Sequence, residues 1–494
     1  MAGVGFELKK LFRARTAAGH VKAYTYSAII TTGPFLLMTG MVLAIQLLFT
    51  RFGASAEEQG LFVASVVYGF VFSQILSSGF TMVLTRYLAD CLSVGRYEDV
   101  TGSLFGMSAI LLTFGAAAAA VFFWGTPLAF LPKFLAYLFF LELLLIWTAS
   151  VYLTAVKKFK RLLYGFLAGV LVSVGTAFFG LAADAFSPAA AGLLAVDFGM
   201  GLMLCLFLVH IVSVFGLPRE GLNFAFLPYF ERHWRLFCAS FCYTLGLFLP
   251  NVILWQGPWG VVVAGTYRYA PAYDVVTFYA FLSILPLMTL FVVAAETNFY
   301  EKYAAYFDAI TRRGNLREIE GAKRDLLYTL WFELRQVAEF QFLFTLVFLA
   351  LGGYLLTFSG VDFNAVNMYD VLLFAVFFTG IMQILFILLT YFDYQQGVLR
   401  TGLVFLLGNL VCGLAGLCFF GEKSYGFTFF LAAGAALAWA FYELTHFAAR
   451  IDYFVFCAQP VFYQPPHGPL TRLARRLSGG RLVDLEVRER REDE

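Results

Sequence analysis

Glu142 and Asp197 pose the sharpest chemical question in this chain, because each is a carboxylate set inside a long apolar run. Turned toward hydrocarbon, a carboxylate costs about 2.5–3.5 kcal/mol, so such residues face a protein interior or a water-filled path. There they could take up a proton or a cation. Gln74, Gln383 and Asn409 also lie near the centres of apolar runs. Amides at that depth serve first as glue between helices, at about 0.6–2 kcal/mol per hydrogen bond. Gln74, Glu142, Asp197 and Tyr279 are the residues expected to line a transport path. Tyr279 ends a stretch, 251–279, that also holds Trp255, Trp259, Tyr267, Tyr269 and Tyr273. Such rings can stack on the apolar faces of sugars, and they equally suit an aromatic belt at the headgroup level. Asp274 and Glu296 bracket the apolar run in this region, and Glu296 suits an interfacial position.

Other chemistries find no residues. The chain lacks a GxxxxGK[ST] loop, an HExxH and a paired CxxC. A lone ExxH, Glu443 to His446, falls short of the two such motifs and further carboxylates that a di-iron bundle needs. The seven cysteines lack the spacing of a disulfide framework or a zinc site and read as small apolar fillers. The expectation is a protein without catalytic residues, metal or cofactor, and so a transporter, a channel or a membrane scaffold.

The elements that must position these groups are membrane helices. At 61% hydrophobic and 13% charged residues, against roughly 45–50% and about 25% in a soluble domain, the composition excludes a soluble globular protein. A net charge of +2 gives no reason to expect nucleic acid as a partner. A span needs about 20 apolar residues to cross ~30 Å of hydrocarbon. Runs of that kind occupy 28–50, 61–85, 103–124, 134–156, 162–183, 190–216, 236–256, 273–296, 338–359, 370–392, 399–420 and 425–449. Of the 34 Lys and Arg, only Arg51, Lys133, Arg268 and Lys423 fall in the connections on one side. The positive-inside rule then places both termini in the cytoplasm. The expected fold class is an all-α integral membrane protein with about 12 transmembrane helices.

The connection 217–235 divides the spans into two sixes, 28–216 and 236–449, which suggests two six-helix lobes joined by a cytoplasmic linker. Pro34 and Pro250 sit partway along the first and seventh spans, and Pro286 lies in the eighth; all three are expected helix breaks. Residues 1–27 carry an N-terminal interfacial helix, with Phe6, Leu8, Leu11 and Phe12 among basic residues. The longest connection, 297–337, reads as a cytoplasmic helical hairpin, with Asn315 and Glu318 spaced as a capping box. Its Arg312, Arg313, Arg317 and Arg324 could dock a partner or face anionic lipid. The last segment, 450–494, is basic, with a surface helix over 465–480 and a mixed-charge tail.

Met1-Ala2-Gly3-Val4-Gly5-Phe6-Glu7-Leu8-Lys9-Lys10-Leu11, followed by Thr32-Gly33-Pro34-Phe35, resembles the start of the PelG family. These are the inner-membrane transporters of the bacterial Pel exopolysaccharide system. Glu296-Thr297-Asn298-Phe299-Tyr300-Glu301-Lys302-Tyr303 looks like the family's signature after span eight, and Tyr391-Phe392-Asp393 and Gln459-Pro460 look like later landmarks. Where family members often carry basic residues after Tyr-Phe-Asp, this chain has Tyr394-Gln395-Gln396. The resemblance implies a place in the multidrug/oligosaccharidyl-lipid/polysaccharide (MOP) flippase superfamily, with MATE-like lobes around a cavity that opens alternately to each side. It implies as partners a cytosolic glycosyltransferase, a cyclic-di-GMP-sensing membrane protein and a scaffold membrane protein. The implied cargo is an N-acetylhexosamine polymer for biofilm formation. Two alternatives stand beside this expectation: a cation-coupled small-molecule antiporter using Glu142 or Asp197, and a non-transporting scaffold of a polysaccharide synthase.

Overall fold

The computed structural model describes residues 17–155, 159–218, 222–311, 314–358, 364–421, 425–457 and 468–477. The expected interfacial helix falls mostly outside these residues, as do Arg312, Arg313 and the tail 481–494. In a medium without water the backbone must satisfy its own polar groups, which favours helices throughout. The first six spans are α1 (Ala17–Arg51), α2 (Ala56–Ser93), α3 (Glu98–Phe123), α4 (Phe130–Ala155), α5 (Phe159–Ala182) and α6 (Pro188–Phe215). A short α7 (Leu227–Arg232) leads into span seven, α8 (Trp234–Trp255). A hairpin follows, β1 (Val261–Val263) paired antiparallel with β2 (Tyr267–Tyr269). Span eight is α9 (Pro271–Leu282) plus α10 (Leu285–Ala294), then α11 (Tyr300–Thr311) leads to α12 (Leu316–Phe358). Spans ten to twelve are α13 (Asn364–Tyr391), α14 (Gln395–Ala415) and α15 (Tyr425–Ala449), with a terminal α16 (Pro469–Leu477). Among the described residues, twelve helices are long and apolar enough to cross a membrane.

The helix contacts repeat. In the first six spans α1 packs on α5, α5 on α6, α6 on α4, and α4 on α2 and α3. Six spans later α8 packs on α14, α14 on α15, α15 on α13, and α13 on α9 and α12. Each set buries its own apolar cluster. The sets meet where α2 lies along α8 and α1 along α10.

Of the three expected breaks, only Pro286 coincides with an interruption. α1 and α8 continue through Pro34 and Pro250. Pro286 stands near the N-terminus of α10, where a missing N–H leaves nothing unpaired. Ser283 C=O, which no longer serves a helix, accepts from Gln341 Nε2 of α12 at 3.1 Å.

At one end of the bundle, the hairpin end, Ser55 accepts from Glu58 N–H at 3.2 Å, and Glu58 accepts from Ala189 N–H at the start of α6 at 2.8 Å. At the other, the linker end, Asn315 Oδ1 accepts from Glu318 N–H (2.9 Å) and Glu318 Oε2 from Asn315 N–H (3.1 Å), so the capping box forms. α12 then runs unbroken for 43 residues into span nine. Lys323 pairs with Asp452, and Tyr306 donates to the same carboxylate, tying α11 and α12 to the segment after span twelve.

α16 is held by one carboxylate. Glu231 of α7 accepts from Gly468 N–H (3.1 Å), Thr471 N–H (3.2 Å), Thr471 Oγ1 (2.6 Å) and Leu470 N–H. An anion at the positive end of a helix, bonded to its first amides, satisfies donors that have no partner within the helix. Glu231→Ala should therefore free α16: amide exchange over 468–477 should quicken by at least about tenfold, the equivalent of ~1.4 kcal/mol, while the spans keep their protection. Unchanged exchange would mean that Leu470 and Ala474 packing alone seats the helix.

Candidate transport cavity

A cavity of about 510 Å³ lies between the two sets, in the half of the bundle toward the linker end. Its walls are α2, α4, α8, the α9–α10 break and α13. Under the six-span shift α2 corresponds to span eight and α4 to α13, so two matched pairs form most of the wall, and α8 adds a further face. Gln74, Ser77, Ser78 and Thr81 recur at three- and four-residue spacing and so share one face of α2. Trp147, Ser150 and Thr154 descend from α4, Tyr243 and Thr244 from α8, and Thr379 and Gln383 from α13. Among the described residues, no Asp, Glu, Lys, Arg or His lines it. Thr81, Thr154 and Thr379 donate to carbonyls of their own helices, which leaves their oxygen lone pairs as acceptors toward the cavity. Trp147 Nε1 donates to Ser73 Oγ at 3.0 Å, which fixes the indole as a wall. Hydroxyls, amides and rings without formal charge match a neutral polyhydroxyl ligand: they exchange hydrogen bonds with it at no cost of desolvating an ion.

The two sets are clasped together on either side of the cavity. At the hairpin end, Tyr68 Oη accepts from Arg268 N–H (3.0 Å) and donates to Arg268 C=O (2.7 Å), as an added rung on β2. Its ring stacks on Trp255 with centroids 4.9 Å apart and meets Tyr267 edge-on at 5.0 Å. Trp255 Nε1 and Asn251 Nδ2 donate to Asp274. Trp255, Tyr267 and Tyr273 are thus buried and joined to the clasp or the core, whereas Val261 and Val262 stay exposed. At the linker end, Phe237 packs edge-on against Phe80 at 5.1 Å and covers Gly79.

Beside that lower clasp, His233 Nδ1 lies 2.9 Å from Gln395 Nε2, which also donates to Asp393 Oδ1 at 3.1 Å. Nδ1 must be the acceptor here, so the folded state holds the neutral ring. Burial pulls the His233 imidazole down to about 4, against the opposing attraction of Asp393. The folded state then binds fewer protons than the unfolded chain between about pH 6.5 and 4. Stability from this residue is complete above that window and is lost as pH falls through it, on the order of 2–3 kcal/mol. A His233→Gln variant should show a flatter Tm profile than the parent across pH 6.5 to 4. Parallel profiles would refute the assignment.

The residues expected to line a path are distributed unevenly. Gln74 lines the cavity, together with Gln383, which the sequence marks only as glue. Glu142 and Asp197 lie inside the first set, between α4 and α6: Glu142 Oε1 sits against Gly201, one turn beyond Asp197. Glu142 Oε2 and both Asp197 carboxylate oxygens are buried without a hydrogen-bond partner among the described residues. Tyr279 packs against the second core and is not among the lining residues. Arg317 and Arg324 are exposed on α12. The missed lining residues are the small hydroxyls, and the hydroxyl-rich face of α2 is the signal that could have found them.

This architecture, two six-span sets around a shared polar cavity, has the fold of MATE transporters of the MOP superfamily. An outward-facing MATE multidrug transporter aligns at a TM-score of 0.58 and 10% identity, over 86% of this chain and 95% of that one. The Vibrio cholerae MATE transporter VcmN in its bent form aligns at 0.57 and 11%, over 92% and 100%. No curated protein matches the chain. The chain belongs to the PelG family of exopolysaccharide exporters (EPS-E), whose model matches residues 1–456. Family and fold together make it a multi-pass membrane transporter of polysaccharide.

Proposed function

We propose that the chain carries a Pel-type N-acetylhexosamine polymer across the bacterial inner membrane, taking it from a cytosolic glycosyltransferase at the linker end. The observation that carries this is the uncharged, hydroxyl- and amide-lined cavity between the two sets. An acetylated glycan is neutral, and among the described residues that lining holds no cation to pair with an anionic lipid pyrophosphate. In this reading the sets act as lobes, 28–216 and 236–449, about the linker 217–235, and the linker end is cytoplasmic. Exposed Arg317 and Arg324 on the hairpin then face the enzyme, with the cyclic-di-GMP-sensing and scaffold proteins of the system beside it. The Glu142–Asp197 pair works within the first lobe rather than on the path.

Thr244→Trp tests the path. The indole would occupy the cavity without touching either clasp, so secreted polymer should fall at least about tenfold at unchanged protein level and Tm. Undiminished secretion would place the route elsewhere. A second reading, a cation-coupled small-molecule antiporter, draws support from the unpartnered Glu142–Asp197 oxygens. Flux of a cationic dye in proteoliposomes, blocked by Thr244→Trp, would favour it.

A further inference from the structure

A second cavity, of about 640 Å³, opens at the hairpin end between α1, α2 and α9 and shares no lining residue with the polar one. The interruption at Ser283–Ile284 creates it. On the linker side of that break α10 packs along α1, where Thr31 Oγ1 and Thr289 Oγ1 are 3.2 Å apart. On the hairpin side α9 packs on α13 instead. α1 and α9 therefore diverge above the contact of Phe35 with Phe278, whose ring centroids are 6.3 Å apart.

The chemistry changes along one face of α2. Gly60, Val63, Val67 and Phe70 line this cleft, and the same stripe continues as Gln74, Ser78 and Thr81 in the polar cavity. Fifteen of the twenty lining residues are apolar, and of the five polar ones two are engaged: Gln59 Nε2 donates to Ala54 C=O, and Asp274 accepts from Asn251, Trp255 and Ala270. Over most of the cleft, ordered water would lack the two to four partners it needs. The cleft is also open sideways. Leu36, Leu43 and Leu47 form an exposed stripe on α1, at 49%, 51% and 72% exposure, and Leu43 belongs both to that lipid-facing stripe and to the cleft wall. Its edge is thus continuous with the surface that a membrane helix presents to hydrocarbon.

We propose that this cleft is a binding site for a phospholipid acyl chain from the leaflet at the hairpin end, inserted as a wedge between α1 and α9. The full-length protein in phosphatidylethanolamine/phosphatidylglycerol vesicles, doped with a phosphatidylcholine bearing a mid-chain diazirine, tests it. After photolysis, peptide mass spectrometry should find adducts on Val63 and Val67 as well as on lipid-facing Leu47. Leu43→Trp, which narrows the opening at an exposed position, should lower the Val63 and Val67 adducts at least about tenfold and leave the Leu47 adduct unchanged. Labelling confined to Leu47, or inner adducts indifferent to Leu43→Trp, overturns the proposal. Inner adducts displaced by soluble N-acetylglucosamine oligomers would assign the cleft to glycan and overturn it equally. The transport reading is tested separately by Thr244→Trp, since that substitution lies in the other cavity.

Discussion

Gly199→Val is expected to leave little folded protein in the membrane. α5 and α6 cross with their backbones in contact: a Cβ on Gly199 would lie 1.9 Å from Ser173 Oγ and 2.4 Å from Gly169 C=O. Membrane helices gain no hydrophobic driving force against each other, so close approach at small residues supplies the packing energy. Overpacking a core costs about 1–3 kcal/mol where side chains can yield. Here the obstacle is a backbone carbonyl, which cannot yield without separating the helices. The measurement is recovery of monodisperse protein from detergent and its Tm. Gly175→Ala is the control, since no atom lies within 4 Å of its Cβ position. It should be neutral or slightly stabilising, by up to about 1 kcal/mol of helix propensity. Ser173→Gly should fail to rescue Gly199→Ala, because the Gly169 carbonyl stays in place. A normal Tm for Gly199→Val would show that these helices do not cross there.

Glu142→Gln combined with Asp197→Asn is expected to raise Tm while lowering export. Three oxygens of this pair are buried with no donor among the described residues. An unsatisfied buried polar group costs about 1–3 kcal/mol, and an amide brings donors that its neighbour can accept. A gain of about 1–2 kcal/mol corresponds to a few °C in a protein of this size, at roughly 2–4 °C per kcal/mol. Carboxylates kept at such a cost are the usual mark of work done elsewhere than in folding. Secretion should therefore fall at least about tenfold, with the variant correctly inserted. Higher Tm with full secretion would make the pair dispensable. Lower Tm would make it structural.

Several features are legible in the residues alone. The twelve spans follow from length and hydropathy. The turn between α11 and α12 follows from Asn315 and Glu318, whose reciprocal bonds need only the backbone between them. The composition also carries the polarity of the chain, since uncharged small hydroxyls stand inside apolar runs. Other features have no local signature. Pro34 and Pro286 look alike in sequence, yet only beside Pro286 does a distant side chain, Gln341, 55 residues on, donate its Nε2–H to the freed Ser283 carbonyl. The internal repeat leaves one shared proline in the sequence but recurs in the main helix contacts.

Span number and local caps were determined by the sequence itself, because hydrocarbon forces each segment to satisfy its backbone within about 20 residues. Which faces meet was decided only by tertiary structure. Gln74 and Gln383 reach one cavity while Glu142 and Asp197 turn into the first core, although all four sit inside apolar helices. Side-chain direction around a membrane helix carries little hydrophobic signal, since lipid and protein interior are equally apolar. The choice falls instead to backbone approach at residues such as Gly199, which is a property of two helices and not of either one.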